Sequence, residues 1–129
     1  MRAFLSHLHR DDDLAIQLKR QLRQWSERSI AVSLVLASDR TTRTSSESIK
    51  EQVLIPRLRW AQAVLVLVTP LTCASPWIRW EIDFAKQRET PIIAVTAPSV
   101  DQRYAGYVTD SGGIVCDWDW PQIDAALNR

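Results

Sequence analysis

The stretch Ala63-Val64-Leu65-Val66-Leu67-Val68-Thr69 decides the fold. It is a near-continuous apolar run without polar alternation, the pattern of a strand covered on both faces, as in a parallel sheet between helices. The wider run from Ala61 to Val68, with Gln62 inside it, is far too short to span a membrane. Outward from this strand, the order of elements is regular. Ala3-Phe4-Leu5 is a short apolar run, and Leu14, Ala15, Leu18, Leu22 and Trp25 follow at helical spacing. Ile30 to Leu36 is rich in β-branched residues and reads as a second strand. After the polar loop Ser38 to Arg43, Thr44 and Glu47 form a capping box for a helix bearing Ile49, Val53 and Leu54, which Pro56 should bend or restart.

Downstream, a helix from Pro76 precedes a fourth strand, Pro91 to Thr96. Residues 97 to 112 read as a long loop with one helical turn. Gly113 to Asp117 is a fifth strand, and Pro121 to Asn128 is a short closing helix with Pro121 in its first turn. Strands alternating with helices predict one α/β domain over residues 1–129: a doubly wound, three-layer sandwich with a five-stranded parallel sheet in flavodoxin-like order. Ligands then bind beyond the carboxyl ends of the strands.

Composition narrows the function classes. Net charge is +1, which gives no broad electrostatic footprint for nucleic acid. There are only three glycines, and neither a GxGxxG nor a Walker motif occurs, so a nucleotide would have to be held by another route. Cys73 and Cys116 make no metal pattern and fit a reducing cytoplasm, with Cys73 read as a small, partly buried hydrophobe. Arg2 to Ser6 already reads as a buried strand, so no leader is expected. No membrane segment is expected either.

One residue breaks the pattern of its helix. At about 100° per residue, Ser75 to Lys86 places Arg79, Asp83 and Lys86 on a polar side, with Gln87 beyond them. The apolar side holds Trp77, Ile78, Ile82, Phe84 and Ala85, with Glu81 as its only charge. A carboxyl group in such company must be paired, protonated or used, and perturbed acids are enriched at active sites. The bland alternative is that Glu81 pairs with an arginine and staples the helix.

With the strands placed, Phe4-Leu5-Ser6-His7 followed by Asp11-Asp12-Asp13 resembles the opening of a Toll/interleukin-1 receptor (TIR) domain. The segment Thr69 to Ile82 resembles that family's strand, loop and Ser-x-Trp-x-x-x-Glu helix. In its Trp-x-Arg-aromatic-Glu form, the chain is similar to the TIR-like proteins of bacterial Thoeris anti-phage defence. The resemblance covers residues 2 to 96, and the glycine often found in the family's loop after the second strand is missing.

The resemblance implies an enzyme that cleaves NAD⁺ at the nicotinamide glycosidic bond, releasing ADP-ribose or a cyclic isomer used as a signal. NAD⁺ would be the substrate, with no separate cofactor and no metal, and Glu81 would be catalytic. It also implies self-association with other TIR domains and a separate effector that senses the product. Trp77, one turn before Glu81, would wall the substrate pocket. Ser6 and His7, at the end of the first strand, would reach substrate, Ser75 would help to orient it, and Arg40 or Arg43 would meet a pyrophosphate.

Each has a plainer reading. Ser75 is sufficient as a helix N-cap, Trp80 packs, a lone histidine is usually structural, and loop arginines are usually solvated. Asp11 to Asp13 are read as capping and helix-dipole residues rather than metal ligands. Two other function classes stay open: a non-enzymatic TIR assembly module, and a deoxyribosyltransferase-like nucleotide enzyme.

Overall fold

The computed structural model describes residues 1–36 and 49–129. Its centre is β3 (Ala63–Val68), buried along its whole length. It pairs in parallel with β1 (Arg2–Ser6) on one side and with β4 (Ile92–Thr96) on the other. β2 (Ala31–Ser33) joins the outer side of β1, and β5 (Ile114–Asp117) joins β4. The sheet order is therefore β2-β1-β3-β4-β5, all parallel, as the sequence predicts. β2 is shorter than the apolar stretch suggests, because only residues 31–33 pair with β1.

Strand alternation sends side chains to two cores. Phe4, Val64, Val66, Val68 and Ala94 face one, with Leu54, Leu58, Ile78 and Ile82 from the helices that cover it. Ala3, Leu5, Leu65, Leu67, Ile93 and Val95 face the other, with Leu18, Leu22 and Ile123. α1 (Asp12–Trp25) and α5 (Trp120–Leu127) supply the second layer. α2 (Ile55–Trp60) and α3 (Pro76–Gln87) supply the first.

Pro56 explains how α2 begins. Proline has no N–H to donate and crowds the preceding turn, so a regular helix cannot run through it. The chain forms a wide turn over Lys50–Leu54, where the Ile55 N–H bonds the Lys50 carbonyl five residues back, and α2 then restarts with Pro56 in its first turn.

Residues 97–112 hold more structure than a loop with one helical turn. A tight turn over Gln102–Ala105 leads directly into α4 (Gly106–Asp110). Ala105 and Val108 are fully buried, which anchors this segment despite its weak apolar periodicity. The capping box expected at Thr44 and Glu47 lies outside the described residues.

Candidate active site at the carboxyl rim

In this strand order the direction of winding reverses between β1 and β3, so the crevice beyond their carboxyl ends is where a doubly wound sheet binds ligands. α3 enters that rim. Ser75 caps it, its side-chain oxygen accepting from the Ile78 N–H at 3.3 Å, and Pro76 fills the first turn. Arg79 Nε donates to the Cys73 carbonyl at 2.8 Å, which ties the helix start to the preceding turn. Ile78, Ile82 and Ala85 pack into the core, while Arg79, Asp83, Lys86 and Gln87 are exposed.

Glu81 lies among the packed residues and is fully buried, at 0% exposure. Ser6 Oγ, at the last position of β1, donates to Glu81 Oε1 at 3.2 Å. Ser6 is itself buried. Trp77, one helical turn before Glu81, is half-buried against the same core. Lys50 Nζ sits over the rings of Trp77 and Trp80, 6.0 Å and 5.2 Å from their centroids. Trp80 also packs on Phe84, with ring centroids 5.6 Å apart, as its packing role requires.

The other predicted residues go elsewhere. His7 is buried, but it alternates to the opposite face of the sheet from Ser6, and its Nε2 pairs with Asp12 Oδ1 at 2.6 Å. Its Nδ1 makes no hydrogen bond among the described residues. Arg40 and Arg43 lie outside the described residues.

The aspartate run is corrected in part. Asp11 flanks α1 but makes no side-chain capping bond. Its Oδ2 instead accepts from Thr69 Oγ1 at 2.8 Å. Asp12 and Asp13 do lie in the first turn of α1, where the helix dipole favours them. Among the described residues, no group of histidines, cysteines and acids could hold a metal ion.

Sequence reasoning missed the polar network that shapes this rim. The Thr69 N–H donates to Thr72 Oγ1 at 2.8 Å, and the two hydroxyls lie 3.0 Å apart. Thr72 Oγ1 also reaches the Leu67 carbonyl at 3.3 Å. Two threonines three residues apart beyond a strand could have signalled such a turn. The role of Lys50 has no comparable signal, because it depends on a contact between distant elements.

Two hollows open at the rim. One, of about 270 Å³, is lined by Arg10, Asp11, Thr69, Pro70 and Leu71. The other, of about 240 Å³, is lined by Lys50, Pro76, Trp77 and Trp80. Each is smaller than the roughly 300–1,000 Å³ of an ordinary small-molecule site.

A parallel doubly wound sheet with a buried glutamate at its switch point, one turn after a tryptophan, defines a TIR-like α/β domain. The family model for "Thoeris protein ThsB, TIR-like domain" matches residues 4–102, and the chain belongs to that family. No curated protein matches it. Among solved structures, it is similar to a conserved protein from Enterococcus faecalis V583, with a TM-score of 0.70 and 13% identity. That match covers 99% of this chain and 97% of the other. At that identity the likeness speaks to the fold alone.

Proposed function

We propose that this domain cleaves the bond between nicotinamide and ribose in NAD⁺, with Glu81 as the catalytic carboxylate. The observation that carries the reading is the buried Glu81, joined to Ser6 at the β1/β3 switch point and one turn from Trp77. As the glycosidic bond breaks, its electron pair leaves with nicotinamide, which departs as a neutral base. Positive charge moves to the ribose ring, where a carboxylate stabilises it or holds a ribose hydroxyl. One carboxylate suffices because the leaving group is already cationic. Water then gives ADP-ribose, and attack from within the same molecule gives a cyclic isomer. In the setting the family suggests, that product would signal to a separate anti-phage effector.

Glu81 is fully buried and lines neither hollow of the rim among the described residues, so in this reading substrate reaches the carboxylate only after the rim opens. The same burial favours a second reading, in which the domain acts by assembling with other TIR domains. Nicotinamide release from NAD⁺ by concentrated protein, with Glu81→Gln in parallel, tests the first reading. Release by the unsubstituted protein alone supports it, and product mass separates hydrolysis from cyclisation by one water. Release by both proteins, or by neither even in lysate from phage-infected cells, overturns it.

A further inference from the structure

Away from the carboxyl rim, α1 and the chain after β2 enclose a groove of about 440 Å³. Its apolar lining is Ile16, Leu34 and Leu36, and its polar lining is Lys19, Arg20, Arg23, Arg28 and Gln24. Four cations therefore border one groove, with no carboxylate among the described residues of its wall, in a chain whose net charge is only +1. None of the four makes a side-chain hydrogen bond or ion pair among the described residues. Lys19 and Arg23 stand four residues apart on α1, and Arg20 and Arg23 three apart, spacings at which like charges destabilise a helix. The helix dipole accounts for Arg23, in the last turn, but not for Lys19, Arg20 or Arg28.

The turn that delivers Arg28 is itself costly. Glu27 and Arg28 both adopt left-handed backbone, with φ of 53° and 69°, where glycine would be the ordinary choice. The Arg28 N–H bonds the Arg23 carbonyl at 2.9 Å, which folds the turn back onto the helix end. A strained backbone that presents a cation with no side-chain partner among the described residues, beside three others, fits a ligand site.

We infer that this groove is a docking surface for an acidic, amphipathic peptide segment of a partner protein. The partner's apolar side chains would lie on Ile16, Leu34 and Leu36, and its carboxylates would meet the four cations. The lining disfavours a nucleotide, because among the described residues it contains no aromatic ring on which a base could stack and no glycine-rich phosphate loop. A concave site with an aliphatic floor also fits a peptide better than a membrane surface.

The test measures fluorescence anisotropy of three labelled probes with the full chain: an amphipathic leucine–glutamate peptide, its leucine–glutamine counterpart and an oligothymidylate. The glutamate peptide should bind at least about tenfold tighter than the glutamine one. Arg28→Gly should weaken that binding severalfold without lowering the unfolding midpoint, since glycine relieves the left-handed backbone. The pair Arg20→Gln/Arg23→Gln should weaken it further. Equal affinity for the two peptides, no measurable binding, or indifference to these substitutions would overturn the inference. Tighter binding of the oligothymidylate would also overturn it, by assigning the groove to nucleic acid.

Discussion

Ser6 and Glu81 stand 75 positions apart in the chain, yet Ser6 Oγ donates to Glu81 Oε1 at 3.2 Å inside the folded protein. The bond joins the end of β1 to the middle of α3, so the candidate carboxylate is oriented by the sheet as well as by its own helix.

Removing that donor should be felt in stability. Ser6→Ala leaves a buried carboxyl oxygen without this hydrogen bond, at a cost of about 1–3 kcal/mol. Chemical denaturation measures the loss, and Ser6→Thr, which keeps the hydroxyl, should recover part of it.

Substitutions at Glu81 separate a working group from a structural staple. Glu81→Gln preserves shape and should change stability by less than about 1 kcal/mol while removing NAD⁺ turnover. Glu81→Leu leaves the buried Ser6 hydroxyl without this acceptor and should cost about 1–3 kcal/mol, part of which the double variant Ser6→Ala/Glu81→Leu should recover. Destabilisation of both variants by several kcal/mol would identify Glu81 as the staple instead.

The glycines should diverge under the same change. A Cβ at Gly113 would lie 2.6 Å from Val108 Cγ1 and 2.8 Å from the Ile92 carbonyl oxygen, whereas a Cβ at Gly106 meets nothing within 4 Å. Gly113→Ala should therefore cost about 1–3 kcal/mol through overpacking. Gly106→Ala, at the first residue of α4, should be neutral or stabilising by up to about 1 kcal/mol. Thermal unfolding of the two variants checks the contrast.

The two thiols should differ in reactivity, and Cys116 should link stability to pH. Burial, with Asp117 and Asp119 nearby, pushes Cys116 up from its ordinary value of 9.0 to about 11. At mild alkaline pH a thiol reagent should label half-buried Cys73 and spare Cys116, a difference that mass spectrometry reads. Between those two values the unfolded chain loses the Cys116 proton while the folded chain retains it. Its contribution to stability is therefore complete below pH 9 and lost as pH rises through about 11. A Cys116→Ala variant should show a shallower alkaline decline in denaturation.

The fold was legible because its strongest signals are local. The unbroken apolar run at Ala63–Val68 marks the central strand, and Ser75-Pro76 marks the start of α3. Glu81 stood out for a related reason, as a charge on the wrong side of a periodic helix. What escaped depends on distant partners. The aspartates looked like caps because capping is a local property, whereas the Asp11–Thr69 bond spans 58 positions. His7 looked like a neighbour of Ser6, but strand alternation turned it toward α1 and Asp12.

Complete enclosure of Glu81 makes access, rather than reactivity, the quantity on which control would act. Under the proposed reaction, the resting turnover rate is that of the open form multiplied by the fraction of molecules open. An opening that costs about 4 kcal/mol leaves roughly one molecule in a thousand competent. A trigger that binds only the open form could then raise flux about a thousandfold with the catalytic group unchanged. Standing protein would draw little on the dinucleotide pool between challenges, and the response could begin without new synthesis.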